Sequence, residues 1–86
     1  MGNYKIVFKS SAIKELEEIA LKKDRNALIT SISSLSDNPR PRGCKKMTSR
    51  SAFRIRKGIY GVIYQVDDER QLVKIFKIGK RREVYR

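Results

Sequence analysis

The chain has 86 residues, of which 21 are Lys or Arg and nine are Asp or Glu, so its formal net charge is +12. A chain of this length predicts one small domain over residues 1–86, and without histidine it has no Ser-His-Asp triad, no imidazole acid or base and no histidine-ligated metal. Its one cysteine, Cys44, excludes an intramolecular disulfide and a cysteine-rich zinc site, and we expect no metal and no cofactor.

The first half of the sequence predicts a strand followed by two helices. Residues 4–8 alternate and contain β-formers, which is typical of a strand. An amphipathic helix over about 11–22 is indicated by apolar residues at helical spacing, which are Ile13, Leu16, Ile19 and Ala20. A second helix is expected from Asp24, a candidate N-cap, to about residue 36, with apolar residues at i, i+4 and i+7, which are Leu28, Ile32 and Leu35. Because only a few polar residues separate the two helices, they predict an antiparallel helical hairpin.

A basic linker is expected over residues 37–51, which contain two prolines and one glycine and lack strong periodicity. The second helix ends at Asp37-Asn38-Pro39, since a residue before proline is pushed out of the helical region. Two interpretations of the linker stay open. It is either a solvated loop or a mobile basic arm beside a groove.

The second half predicts three strands. Residues 53–56 alternate between apolar and basic side chains, and a Lys-Gly turn leads to a second alternating stretch at 60–66. An acidic turn precedes a third strand at 71–78, which Gly79 is expected to end before a basic tail. Adjacent strands joined by short turns pair antiparallel. The sequence therefore predicts an α+β domain, in which a strand and a two-helix hairpin precede an antiparallel β-meander.

Nearly all the excess positive charge lies in the second half. Residues 40–86 carry fifteen of the lysines and arginines and four of the carboxylates, which gives them a net charge of +11. Clustered cations bind phosphates by displacing counterions, so a nucleic acid is the expected partner, and a basic surface without a ligand is the alternative. The absence of a long apolar run and of a signal-peptide stretch, with a lone thiol, predicts a cytoplasmic protein with no membrane partner.

Arg54 and Arg56 are the strongest candidates for binding phosphate. They lie two residues apart on a strand, so both project from one face while Phe53 and Ile55 take the core face. Arginines about 7 Å apart can each bind one phosphate in a bidentate manner. A plain solvent face is the alternative. Gly61 in the next strand lacks a side chain and is expected to leave a gap opposite the two arginines.

Two sets of tyrosines are interpreted differently. Tyr60 and Tyr64 share a strand face and are expected to cover the core, and a platform on which RNA bases stack is the alternative. Tyr85 lies in the terminal run 80–86 among cations, where a phenol can stack on a base or donate a proton. The other interpretation of Tyr85 is that it packs with Val84 at a sheet edge.

These motifs resemble the RelE/ParE superfamily of toxins from bacterial toxin–antitoxin systems, and its RelE-like side in particular. The resemblance covers nearly the whole chain, from FKSSAIKELEEI through LSDNPRPRGCKKM, and is most specific in FRIRKGIYGVIYQVDD and VKIFKIGKRREVYR. It implies a β-α-α-β-β-β fold. It also implies a ribosome-dependent endoribonuclease that cleaves mRNA in the A site without metal, by attack of the substrate's 2′-OH on the adjacent phosphate.

The resemblance also implies roles for individual residues. Arg54 and Arg56 match the family's basic pair. Arg81 matches its arginine after the glycine turn, and Tyr85 matches its terminal tyrosine. Gly61 stands where the family has arginine, which leads to the hypothesis of an attenuated enzyme. Because a guanidinium cannot lose its proton, Arg56 is expected to bind phosphate, which leaves Tyr85 or a ribosomal group to move the proton.

Further basic residues are candidates for binding RNA or the ribosome. They are Lys45, Lys46, Arg50, Lys57, Lys80, Arg82 and Arg86. The implied partners are the ribosome with its mRNA and an acidic antitoxin, which masks such residues in a toxin–antitoxin heterocomplex. Two alternatives stay open: a ParE-like protein that poisons gyrase, and a catalytically inactive module that binds RNA or antitoxin.

Overall fold

The computed structural model describes the backbone of residues 3–47 and 52–84, with side chains for all of these except 83 and 84. Its elements are β1 (Lys5–Phe8), α1 (Ser10–Glu17), α2 (Lys22–Ser34), β2 (Lys45–Lys46), β3 (Ala52–Lys57), β4 (Tyr60–Asp67), β5 (Leu72–Lys80) and α3 (Arg81–Val84). No helix within these ranges is long and apolar enough to cross a membrane.

The strands form one five-stranded sheet in the order β1-β5-β4-β3-β2. β1 pairs parallel with β5, and the other neighbours pair antiparallel, so the sheet is mixed. This confirms the predicted α+β class and the predicted order of a strand, two helices and further strands. The parallel pairing of the first strand with β5 was not predicted.

The core lies between the sheet and the two longer helices. α1 contacts β5 and α2 contacts β3. The predicted helical positions Leu28, Ile32 and Leu35 are all buried in one cluster with strand residues that include Val62 and Tyr64. The hydroxyl of Tyr64 donates to the carbonyl oxygen of Pro39 at 2.7 Å. The face of the sheet that carries the core is therefore the one that alternation assigned to Tyr60 and Tyr64.

The first helix is shorter than the sequence predicts. α1 ends at Glu17, and Ile19, although buried at 7% exposure, lies in the connection to α2. The last turn tightens, since the N–H of Ile19 donates to the carbonyl of Leu16. The guanidinium of Arg25 donates to the carbonyl of Ile19 at 3.2 Å. Apolar spacing therefore identified a buried position but not the end of the helix.

The second helix begins two residues before its expected cap. Leu21 is the N-cap of α2 and makes no side-chain cap hydrogen bond, and Asp24 lies in the first turn. A carboxylate in this position interacts favourably with the positive end of the helix dipole. The predicted capping role of Asp24 is therefore wrong, but its charge still favours the start of this helix.

The predicted linker contains a short strand. Lys45 pairs with Arg54, Lys46 pairs with Phe53, and the N–H of Met47 donates to the carbonyl of Ala52 at 2.9 Å. These two lysines form β2, which pairs with β3 and is the edge strand of the sheet. Short, charged edge strands are common because they discourage pairing with a further strand. The expectation of a loop throughout 37–51 is therefore wrong at β2.

Gly79 does not end the last strand. It pairs with Gly61 inside the sheet, β5 continues to Lys80, and the tail turns into α3 instead of a further strand. β5 also contains a β-bulge, since Ile63 pairs with Lys77 while the next residue of β4 pairs with Ile75. The extra residue between these partners interrupts the alternation of faces along β5.

A polar cluster joins three parts of the chain at the β4–β5 turn. The Tyr4 hydroxyl donates to Oδ1 of Asp68 at 2.7 Å, and the Arg40 guanidinium donates to both carboxylate oxygens, at 2.7 and 3.2 Å. The Arg40 guanidinium also lies 5.3 Å from the centroid of the Phe53 ring. Hydrogen bonds from Arg40 and Tyr4 hold the pKa of Asp68 below its usual value. The cluster fixes the residues after α2 against the sheet.

Candidate functional site

A row of mainly basic side chains crosses the outer face, which is the face of the sheet opposite the two longer helices. Lys45 pairs with Arg54, Arg54 with Ile63, and Ile63 with Lys77, so this row crosses four strands. Directly opposed residues project to the same face. Arg54 is half-buried and the two lysines are exposed. These four residues, called the basic row below, place three cations across the sheet.

Next to the basic row lies a cation with two glycines. Arg56 pairs with Gly61, and Gly61 pairs with Gly79. Gly61 is buried and Gly79 is half-buried, and α3 contacts both β4 and β5. Because both glycines lack a Cβ, they add no side chain beside Arg56 on the next two strands. Gly61 itself is buried, so its backbone is covered, and the open gap expected there stays a prediction.

Arg81 is held at the same end of the sheet by the β3–β4 turn. Its backbone N–H donates to the carbonyl of Ile59 at 2.8 Å, and its guanidinium donates to the carbonyl of Gly58 at 3.3 Å. Gly58 has a φ of 60°, a conformation that favours glycine. Arg81 and the next residue, Arg82, are exposed. The turn that holds the exposed Arg81 therefore directly follows β3, the strand that carries Arg56.

Three of the candidate RNA-binding lysines do not share the outer face. Lys57 pairs with Tyr60, Tyr60 with Lys80, and Lys46 with Phe53, so their register is that of the core face. Lys57 lines a groove with Asp24 at the start of α2. These lysines lie at the rim of the sheet, and the structure does not bring them together with the arginine pair.

Three other candidates cannot be placed. Arg50, Tyr85 and Arg86 lie outside the described residues. Of the predicted catalytic set, the structure therefore places Arg54, Arg56 and Gly61 on the outer face and Arg81 at its end.

The outer face also carries cations that the sequence reasoning missed. Lys9, which follows β1, has its Nζ 5.7 Å from the centroid of the Phe76 ring, and the Nζ of Lys74 lies 5.5 Å from the same centroid. Phe76 lies on this face because it alternates with the buried Ile75. The bulge adds Lys77 to the same face, and its mark in the sequence is the spacing of the buried residues Ile75 and Ile78, which lie three apart instead of two.

The arrangement suits the binding of anions. Within the described strands, Asp67 at the end of β4 is the sole carboxylate. Arginine stays protonated under all ordinary conditions and can donate two parallel hydrogen bonds to a phosphate. The outer face can therefore bind a chain of phosphates and stabilise negative charge that develops on one of them.

Comparison with known proteins agrees with the fold. The model of a family described as "ParE toxin of type II toxin-antitoxin system, parDE" matches residues 6–85. No curated protein sequence matches the chain. The chain resembles the isolated Escherichia coli RelE toxin with 28% identity and a TM-score of 0.80, over 95% of this chain and 90% of that one.

Two toxin–antitoxin complexes are similar as well. The RelBE2 complex from Mycobacterium tuberculosis matches with 26% identity and a TM-score of 0.79, over 92% of this chain and 99% of that one. The archaeal RelE–RelB complex from Pyrococcus horikoshii matches with 25% identity and a TM-score of 0.82, over 92% of this chain and 96% of that one. The chain therefore belongs to the RelE/ParE superfamily of toxins from type II toxin–antitoxin systems.

Proposed function

We propose that this toxin is a RelE-type endoribonuclease that cleaves mRNA in the ribosomal A site. The observation that carries the proposal is the cationic outer face, in which Arg54 belongs to the basic row and Arg56 pairs with Gly61, a residue without a side chain. Arg81 is added at the same end of the sheet. A phosphodiester lying on this face meets several guanidinium groups at once.

The proposed reaction is a transesterification within the substrate. The 2′-oxygen of one nucleotide attacks the adjacent phosphorus, the bond to the 5′-oxygen of the next nucleotide breaks, and the products carry a cyclic phosphate and a 5′-hydroxyl. Arg54, Arg56 and Arg81 stabilise the negative charge that grows on the phosphate oxygens. Because guanidinium groups keep their protons, the proton moves through Tyr85 or a ribosomal group.

An antitoxin is the second proposed partner. The similar structures include complexes of RelE-type toxins with RelB-type antitoxins. We propose that an acidic antitoxin covers the outer face in a heterocomplex, since its carboxylates would pair with the same cations that bind phosphate. The proposed site of action is the cytoplasm, where mRNA is translated.

A ParE-type action on gyrase is the second candidate function, because the matching family model carries the ParE description. In this alternative the chain binds gyrase and cleaves no RNA. A supercoiling assay with purified gyrase tests it directly. Inhibition of supercoiling without cleavage of translated mRNA would favour the ParE-type function over the RelE-type one.

The main test is to induce the chain without an antitoxin and to map mRNA ends by primer extension. We expect cuts within translated codons, and we expect Arg54→Ala or Arg81→Ala to slow cleavage by about 10²–10³, as when one donor to a transition-state anion is removed. Arg70→Ala is the matched control, because the Arg70 side chain is 79% exposed and lies at the acidic turn. Equal cleavage by all four proteins would contradict the proposed roles, and no cleavage by the parent chain would reject the nuclease proposal.

A further inference from the structure

Phe76 is an aromatic side chain without a place in the core. Of the aromatic residues in the described ranges, it alone is missing from the core cluster and from the side chains packed against that cluster. Phe76 follows the buried Ile75, so strand alternation turns it to the outer face. The bulge turns the next residue, Lys77, to the same face, since Ile78 is the next buried position. Bulges are known to redirect a side chain beside a functional site.

The half-buried Phe76 ring lies between two ammonium groups. The register that pairs Phe8 with Ile75 brings Lys9 beside Phe76, and the Nζ of Lys9 lies 5.7 Å from the ring centroid. Lys74, two residues before Phe76 on the same strand, has its Nζ 5.5 Å from the centroid. An aromatic ring flanked by cations offers a stacking surface and phosphate contacts together.

The ring also adjoins the basic row. Phe76 is the residue before Lys77, and Lys77 is separated from Arg54 by β4 alone. Strands lie about 4.8 Å apart, so about 10 Å of outer face separates Arg54 from β5. A strand of nucleic acid whose phosphate lies at Arg54 can therefore continue over β5 toward β1.

We propose that Phe76, Lys9 and Lys74 form a subsite for one nucleotide of single-stranded RNA, next to the phosphate bound by the arginines. The base stacks on the phenyl ring, and the two ammonium groups leave the ring to contact the flanking phosphates. This inference rests on the proposed RNA-cleaving function and extends its substrate site. Stacking needs only one accessible ring face and tolerates any base, which fits a ring on an open sheet.

RNA fits this surface better than a protein partner does. An aromatic anchor in a protein interface gains its affinity in a desolvated pocket ringed by nearly neutral contacts. Phe76 is instead flanked by Lys9 and Lys74 and followed by Lys77. Three cations around one ring match the repeating charge of a nucleic-acid backbone.

The absence of tryptophan makes a direct test simple. Phe76→Trp places one indole in the subsite, and its fluorescence reports stacking on a base. We expect a single-stranded RNA oligonucleotide to bind the purified variant and quench the indole fluorescence. An abasic ribose-phosphate oligomer of equal length should bind without quenching this fluorescence. Phe76→Ala should weaken RNA binding about tenfold, within the range found for removing one stacked base. Its melting temperature should stay close to that of the parent, since the ring lies outside the core.

The lysines are tested by the salt dependence of binding. Lys9→Gln should lower the slope of log affinity against log salt by about one, as for the loss of one phosphate contact, and Phe76→Ala should leave the slope unchanged. Lys5→Gln is the matched control. Lys5 is exposed at the start of β1, four residues before Lys9, and pairs with Leu72, away from the ring.

Several results would overturn the inference. They are equal RNA affinity of the parent and Phe76→Ala, equal quenching by the abasic oligomer, or no binding to RNA at low salt. Loss of antitoxin binding alone in Phe76→Ala would assign the ring to a protein partner and would also refute it. The two proposals fail separately: base-dependent quenching without mRNA cleavage rejects only the nuclease, whereas cleavage without quenching rejects only the subsite.

Discussion

Tyr64→Phe removes a single buried hydroxyl and tests how the segment after α2 is held on the sheet. The hydroxyl is fully buried with its residue and donates to the Pro39 carbonyl at 2.7 Å. Burial, with Cys44 nearby, raises the pKa of the Tyr64 phenol, so it stays protonated and remains a donor. The substitution loses this bond and leaves the buried carbonyl of Pro39 without it. Such a loss costs about 2 kcal/mol, which corresponds to a melting temperature lower by about 10 °C in a domain of this size.

Tyr4→Phe is the control, because it removes a hydrogen bond of the same length in a different environment. The Tyr4 hydroxyl donates to Asp68 at 2.7 Å on the surface, where water replaces the lost partner. Thermal unfolding followed by circular dichroism should therefore show a much smaller loss than for Tyr64→Phe. Equal losses in the two variants would refute the argument that burial decides the cost. Arg54 lies on the other face, so the rate of mRNA cleavage below the melting transition should not change.

Two further predictions concern the candidate site and the polar cluster. Gly61→Arg adds a guanidinium beside Arg56, at the position that pairs with Gly79, and should speed A-site cleavage by about 10²–10³ if the glycine attenuates the enzyme. Unchanged cleavage in a variant that melts normally would reject attenuation. Asp68→Asn should lower the melting temperature slightly at pH 7. Because Arg40 lowers the folded-state pKa of Asp68, its contribution is present above the unfolded pKa of about 3.9 and is lost as the pH falls through the lower folded value. The difference from the parent should therefore shrink as the pH falls below the unfolded pKa and vanish once Asp68 is protonated in the folded protein. A difference that persists unchanged in acid would contradict this sign.

Local periodicity predicted much of the fold. Leu28, Ile32 and Leu35 were placed in the core because helical spacing reports which side of a segment is buried. The pairing of Lys5 with Leu72 was not predictable in the same way, since it joins residues from opposite ends of the sequence. Neighbours along the chain carry no signal for such a contact. The meander was therefore found, but its parallel edge was not.

The same limit explains what was predicted of the site. Alternation within one strand is a local property, and it placed Arg54 and Arg56 on the face opposite Phe53. Lys57 has the register of the core face and lies at the rim of the sheet. Its basic character alone had grouped it with the two arginines. Phe76 was missed because the strand at 71–78 was predicted without assigning its faces, although alternation from Ile75 places Phe76 outside. The face of Lys77 was not predictable in this way, because one extra residue in a strand reverses the face of every residue after it.

The position of β5 in the sheet sets the time at which the toxin acquires its surface. This strand is the last in the sequence of the described strands, yet it lies between β1 and β4 in the sheet. A polypeptide synthesised from its amino end cannot join β1 to the rest of the sheet until β5 has left the ribosome. Pairings of such long sequence separation also form slowly. Lys77, which completes the basic row, therefore arrives only late in synthesis, and the nascent chain does not carry the assembled cationic face.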